Sequence, residues 1–347
     1  MPTSFLDFFS QLEGSPALAL TALLTLGVLL VNGWTDAPNA IAGAVITGAL
    51  PFQKAVLLAA VCNFLGVLCV TAAEPAVAET VYSIASFEGG SKAASLALCA
   101  AMAAVVLWAA AAWRWGIPTS ESHALVAGLS GAAVALEGSL SCIHWQRWGA
   151  VLLGLVLSTA LGFGAGRWAE RLTRGWECSP RTFRRVQIPG AGGSAFLHGA
   201  QDGQKFLGVF LLGTALTQGR QEGAAIPIPL WLVTLCAFFM ALGTGMGGKR
   251  IIDTVGRDMV ALGVREGFSA DLAGILCLLA ATLLGLPVST THTRTAALLG
   301  VGSAGGRPVR WPVVRSIGVA WLCTFPGCMG LGYGLTRLAL GLWGLEG

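Results

Sequence analysis

Asn32-Gly-Trp-Thr-Asp-Ala-Pro-Asn-Ala40 interrupts an apolar run, Ala17 to Val31, and is followed by a second glycine-rich apolar run to Leu50. A membrane segment should be uninterrupted here, yet a glycine, a proline, an aspartate and two asparagines occupy the place. An ionisable side chain inside a bilayer is costly to bury, so Asp36 is a functional-site candidate by default. A related stretch, His198-Gly-Ala-Gln-Asp-Gly-Gln-Lys-Phe206, returns in the second half of the chain. Fold and function both turn on whether that second copy is a repeat.

The surroundings of both copies are those of a membrane protein. The chain has 347 residues, 55% of them hydrophobic and 11% charged, where soluble domains carry about 25% charged residues. Nine runs approach the roughly 20 apolar residues that cross a bilayer: 17–32, 52–73, 93–113, 117–137, 148–168, 230–248, 268–285, 288–301 and 313–335. The last contains Pro326 and reads as one segment or two. The stretches around Asp36 and Asp202 add shorter pieces that read as half-helices or re-entrant segments, so ten to twelve segments are expected. No Lys or Arg precedes Lys54, which argues against a secretory signal peptide and for a first run retained as a membrane helix. The nine cysteines form no CxxC pair, so they read as small packing residues and no metal site is expected of them. The net charge of +4 calls for no nucleic-acid partner.

Charge distribution gives an orientation. Arg167, Arg171, Arg174, Arg181, Arg184 and Arg185 face only Glu170 and Glu177 in the centre of the chain. The positive-inside rule puts this segment in the cytoplasm; an anionic-lipid surface would put it on the same side. Both tails lack bases near their ends and are expected outside. An odd number of crossings then flanks the centre on each side, which is the plan of two inverted repeats: residues 1–168, a basic cytoplasmic loop 169–192, and residues 193–347.

Three landmarks support the repeat. Gly33 and Asp36 match Gly199 and Asp202 at an offset of 166, as Trp145 and Ser158 match Trp311 and Thr324. Gly116-Ile-Pro-Thr-Ser-Glu-Ser-His123 matches Gly285-Leu-Pro-Val-Ser-Thr-Thr-His292 at an offset of 169. Their common order and near-constant spacing are not explained by a Gly- and Ala-rich composition.

The residue types at these landmarks suggest a division of labour. Gly and Pro break a helix, and the Ser or Thr that follows is a good N-cap for a new one. A half-helix starting inside the membrane aims free amides and its positive dipole end at an anion. Ser120, Ser122, Ser289, Thr290 and Thr291 add hydroxyl donors suited to a tetrahedral oxyanion, although hydroxyls also bond neighbouring helices for packing alone. His123, His292 and Glu121 are candidates for proton linkage, with structural hydrogen bonding as the competing reading. Carboxylates repel anions, and hard cations want oxygen ligands. Asp36 and Asp202 therefore read as a cation site each, helped by Asn39, Thr35, Gln201 and Gln204. Lys205 either pairs with Asp202 on one helix face or, with Gln204, meets the anion. Gly162 to Gly166 fits close helix packing or a homodimer contact. Trp108, Trp113, Trp115, Trp145 and Trp148 read as interfacial anchors, and Arg147, Arg294 and Arg315 as snorkelling side chains, Arg294 being close enough to His292 to reach an anion instead.

At these residues the sequence resembles the inorganic phosphate transporter (PiT) family along nearly its whole length. The resemblance rests on Gly33-Trp-Thr-Asp-Ala-Pro-Asn-Ala40, His198-Gly-Ala-Gln-Asp-Gly-Gln-Lys205, both Gly-x-Pro-x-Ser clusters, Cys62 to Val67 and Ala320 to Pro326. It implies an all-α inverted-repeat secondary transporter that moves inorganic phosphate with Na⁺, H⁺ or as a metal–phosphate complex, without a further cofactor. It places Asp36, Asn39 and Asp202 on signature positions tied to ions and substrate, and Ser120, Ser122, Ser289, Thr290 and Thr291 on the hydroxyl clusters. Thr35 and Gln201 replace the signature's Asn, Glu121 replaces a hydroxyl residue, and Thr159 stands where a proline often follows Ser158. Some relatives carry sulfate, which is the alternative substrate. A membrane-embedded hydrolase would need a nucleophile elbow or HExxH-type motif that the chain lacks, and a passive channel would not need two differently charged sites.

Overall fold

The computed structural model describes residues 5–73, 77–78, 81, 84, 87, 90–217, 228–286 and 288–345. These fold as an all-α bundle whose elements are α1 (Phe5–Gly14), α2 (Pro16–Thr35), α3 (Pro38–Ile46), α4 (Phe52–Ala73), α5 (Gly90–Arg114), α6 (Glu121–Glu137), α7 (Trp145–Arg174), α8 (Pro180–Thr217), α9 (Leu230–Met246), α10 (Lys249–Asp253), α11 (Val264–Leu283), α12 (Thr290–Ala304) and α13 (Trp311–Leu342). Local signals set several ends. Ser15 caps α2 by accepting from Leu18 N, with Pro16 in the first turn. Pro38 has no N–H to continue the ladder of α2, so the chain turns at Asp36–Ala37 and restarts as α3. Gly138 closes α6 in the left-handed region (φ 67°).

Six helical segments among the described residues are long and apolar enough to cross a membrane, and the bent pair of α9 with the turns after it, angled by 65°, makes a seventh. This is fewer than the ten to twelve expected, for a physical reason. At ~1.5 Å per residue, the 17-residue α6 and 15-residue α12 are short of a full crossing. The 38-residue α8 is long enough but carries too many polar side chains to read as a span.

Two sequence expectations are corrected here. Asp202 does not sit at a helix break: α8 runs unbroken through His198, Gly199, Asp202 and Gly203, and even through Pro189. Of the two readings left open for the last run, the single segment is the one found, with Pro326 inside a continuous α13. The basic segment 169–192 is mostly helix, its non-helical part reduced to residues 175–179 between α7 and α8.

Glycine-to-backbone contacts hold the bundle together in four helix pairs. A Cβ on Gly33 (α2) would strike Met240 O of α9, and one on Gly199 (α8) would strike Asn63 O of α4. Gly243 meets Leu30 O across α9 and α2, and Gly66 meets Phe196 O across α4 and α8. Gly131 meets Met329 O across α6 and α13, and Gly300 meets Phe163 O across α12 and α7. Each contact has a counterpart in which the two halves exchange roles, at the offsets of 166 and 169 read in the sequence except between α4 and α9, where the offset is 177. Gly162 and Gly166 pack on Thr293 O and Ala297 O of α12, so this pattern is used within the chain. The close approach maximises dispersion contacts where lipid offers no hydrophobic drive.

Candidate functional site

Two short helices begin in the middle of the bundle, and their first residues touch. Gly116 and Gly285, both left-handed at φ 68° and 62°, turn the chain back after α5 and α11. Ser120 and Ser289, themselves extended, follow, and their hydroxyls cap α6 and α12 by accepting from His123 N (3.4 Å) and His292 N (3.2 Å). Pro287 of the second cluster lies outside the described residues. Ser289 Oγ donates to Ser120 Oγ at 2.9 Å, and Ser158 Oγ accepts from Ser289 N at 3.2 Å. Trp321 fastens the first extended segment by donating from Nε1 to Pro118 O at 2.9 Å. The N-termini of the two short helices therefore meet cap to cap.

Beside these caps lies a single carboxylate centre, where the sequence suggested two separate cation sites. Asp36 ends α2, and its carboxylate accepts from Asn39 Nδ2 (2.8 Å), Thr290 Oγ1 (3.2 Å) and the Thr291 hydroxyl. Asp202 on α8 accepts from Lys205 Nζ (2.7 Å), Thr290 Oγ1 (3.1 Å) and Asn32 Nδ2 (3.3 Å). Thr290 Oγ1 is therefore shared between the two aspartates, and all of these side chains are buried. His198, one turn before Asp202, brings Nε2 to 3.3 Å from Asp202 Oδ2 and 3.9 Å from Asp36 Oδ2. Oxygen and nitrogen atoms of Asp36, His198 and Asp202 lie within 4.8 Å of one another, a grouping able to hold a metal ion, where the sequence suggested no metal site.

The hydrogen bonds of His198 define its chemistry. Asn63 Nδ2 donates to Thr244 Oγ1 (3.0 Å), which leaves Asn63 Oδ1 as the acceptor facing His198 Nδ1 at 3.0 Å. The ring therefore carries its proton on Nδ1 when neutral, and Nε2 turns a lone pair towards two carboxylates. A lone pair aimed at carboxylate oxygens is favourable only with a proton or a cation between them.

The remaining predicted residues divide. Lys205 Nζ reaches Asp202, Ser122 Oγ (2.8 Å) and Val288 O (2.6 Å), so it links the carboxylates to both Ser/Thr clusters. Thr35 meets the Glu121 carboxylate directly. The His123 and His292 rings stand edge to face at 4.8 Å, with His292 Nδ1 2.6 Å from Ser289 Oγ. Gln201 and Gln204 do not join the centre. Gln201 Nε2 donates to Thr282 Oγ1 at 2.9 Å, and Gln204 Oε1 accepts from Val77 N at 3.3 Å. Both lie on faces of α8 turned away from Asp202, which is the consequence of α8 being one continuous helix here. Trp148 is buried and donates to Ser130 Oγ (2.9 Å), and Arg294 is buried as well, so neither is an interfacial side chain. His198, Asn32 and Asn63 are not singled out by the sequence motifs. Their signal is present all the same, since Asn32 and His198 open the two signature stretches and His198 is spaced i, i+4 from Asp202.

Comparison with known proteins agrees with this architecture. The sequence profile described as the phosphate transporter family matches twice, over residues 32–178 and 170–332, one copy for each half of the chain. The probable low-affinity inorganic phosphate transporter of Rhizobium meliloti (strain 1021) is 37% identical over 304 residues, covering 85% of this chain and 88% of its own. That of Bacillus subtilis (strain 168) is 33% identical over 319 residues, covering 89% and 94%. A solved structure described as the sodium-dependent phosphate transporter superposes with a TM-score of 0.82 over 94% of this chain and all of its own, at 21% identity, and so shares the fold. With both copies of its motif meeting in the middle of that fold and nearly its whole length matched, the chain belongs to the phosphate transporter family.

Proposed function

We propose that the protein imports inorganic phosphate across the plasma membrane by alternating access, coupled to a cation that is Na⁺ or H⁺. The observation that carries this reading is the contact between the capped N-termini of α6 and α12 directly beside the Asp36–His198–Asp202 centre. The anion sits against the amides and hydroxyls of Ser120, Ser122 and Ser289, with Lys205 as its fixed positive charge. The cation sits between Asp36, Asp202 and His198 Nε2, supported by Asn39, Thr290 and Thr291. Two ionised aspartates and one lysine leave one unit of negative charge, which a monovalent cation or proton neutralises. Each ion then lowers the electrostatic cost of burying the other. In this structure Thr290 and Thr291 donate to the aspartates, so they belong with the cation more than with the anion.

The repeat suits this function. The exchanged contacts of α2/α9 with α4/α8, and of α6/α13 with α7/α12, support two halves inverted across the membrane around a shared site. Arg250 reaches Arg114 O, Arg174 reaches Ala304 O, and Arg265 and Arg307 reach Glu266, so widely separated bases collect at one end of the bundle. The positive-inside rule makes that end cytoplasmic, with both termini outside.

Purified protein in liposomes should accumulate labelled phosphate when a Na⁺ or a pH gradient is imposed, and imposing them separately identifies the coupling ion. Flux that ignores both gradients would remove the coupling. Sulfate uptake without phosphate uptake would reassign the substrate.

A further inference from the structure

Arg294 is the one arginine buried among the described residues, and nothing in the transport scheme above uses it. Its Nη2 donates to Asp271 Oδ1 at 2.6 Å and to Ala40 O at 3.1 Å, and its Nη1 to Ser194 Oγ at 2.8 Å. Its Nε is buried without a partner, and the Asp271 carboxylate also faces the Gln187 side-chain amide. Space for the guanidinium is made by Gly274, where a Cβ would lie 2.6 Å from Nη1.

The position of this cluster relative to the centre is regular. Arg294 follows Thr290 by four residues on α12, Ser194 precedes His198 by four on α8, and Ala40 directly follows Asn39 on α3. Four residues are one helical turn on the same face. Three elements that supply the carboxylate centre therefore each supply the Arg294 cluster one step further along. Beyond it, Gln187 Oε1 accepts from Thr47 at 2.7 Å, and α11 leads from Asp271 back to Glu266 with its partners Arg265 and Arg307. Polar side chains thus continue from the centre to the basic end. The other half differs at the corresponding positions: at the repeat offset, Arg294 and Asp271 correspond to Leu125 and Met102, both buried in the apolar core.

We propose that Arg294 is a second oxyanion-binding position, one turn from the centre towards the basic end, and that Asp271 is the counterion an incoming phosphate displaces. This rests on the phosphate-transport reading. A guanidinium binds phosphate through paired N–H donors as it binds a carboxylate, so the exchange of Asp271 for phosphate keeps its charge compensated throughout. Asp271, released, stands beside Gln187 Nε2. Because only one half carries the arginine, the second position lies on the basic side of the centre alone.

Equilibrium dialysis of the purified protein with labelled inorganic phosphate counts the positions. The wild type should bind one equivalent, Asp271→Asn two, and Asp271→Asn with Arg294→Gln one again. One equivalent in both the wild type and Asp271→Asn overturns the second position and leaves the central one standing, whereas none in the wild type defeats the central reading itself. Arg294→Lys keeps the charge but loses the paired geometry, and it covers the case in which Asp271→Asn does not fold. It should slow release of preloaded phosphate from liposomes on the basic side by roughly tenfold, the size of one charge-assisted hydrogen bond, with the bound equivalent unchanged. An unchanged release rate contradicts the proposal.

Discussion

At the scale of single residues, the members of the centre differ in what their removal leaves behind. Lys205 is buried against Asp202, and deleting one member of a buried pair leaves the other charge uncompensated, at about 3–5 kcal/mol. Lys205→Met should therefore lower the thermal unfolding temperature clearly and abolish uptake. Adding Asp202→Asn should restore much of the stability while uptake stays absent, and a double variant no more stable than the single would show that the pair is not coupled. Asp36 differs, because its neighbours Asn39, Thr290 and Thr291 are neutral and it lacks a lysine. Asp36→Asn should keep the fold and normal expression yet lose gradient-driven uptake. If this variant still responds to the coupling gradient, Asp36 is not a ligand of the driving cation.

At the scale of elements, glycines set how closely the helices approach. Gly66 of α4 faces Phe196 O of α8 with no room for a methyl group, while Gly149 of α7 has nothing within 4 Å of its would-be Cβ. Gly66→Ala should destabilise by roughly 1–3 kcal/mol, the usual range for overpacking, and Gly149→Ala should be neutral or slightly stabilising, since alanine is the better helix former. Melting curves in detergent distinguish the two, and equal shifts would mean that α4 and α8 are not held by this contact. The same element explains why a helix break expected at Asp202 is absent. Gly199 and Gly203 lie where α8 meets Asn63 and Val67 of α4, so in this copy glycine serves close packing and not chain reversal. In the first copy, Pro38 removes a backbone donor and the break is real.

At the scale of the whole molecule, orientation decides which compartment the basic end and the Arg294 cluster face. Cys178 is exposed in the short connection 175–179, among the central arginines. In a variant that keeps only this cysteine, a membrane-impermeant maleimide should label it only after the cells are opened. Labelling in intact cells would reverse the assigned topology and, with it, the direction in which the Arg294 cluster leads.

Much of this protein is legible in its amino-acid sequence. The apolar runs, the break at Asp36, the caps Ser120 and Ser289, and the repeat offset are local features, because they depend on chain geometry and on which residues can start or stop a helix. Their grouping is not local. Asp36 and Asp202 lie 166 residues apart in the chain, and only the packing of α2, α8 and α12 makes them share Thr290 and one histidine, so that two aspartates expected to act separately form one carboxylate centre. The roles of the polar residues of α8 depend on facing: His198, Asp202 and Lys205 turn inwards, and Gln201 and Gln204 do not. Arg294 reads as a snorkelling side chain because sequence cannot say whether a helix of 15 residues ends at a surface or is enclosed on all sides. The sequence by itself determined which groups are polar inside the membrane and how far apart they repeat. The tertiary structure alone decided which of them neutralise one another, since burial and a charge partner at about 3 Å come from contacts between distant segments.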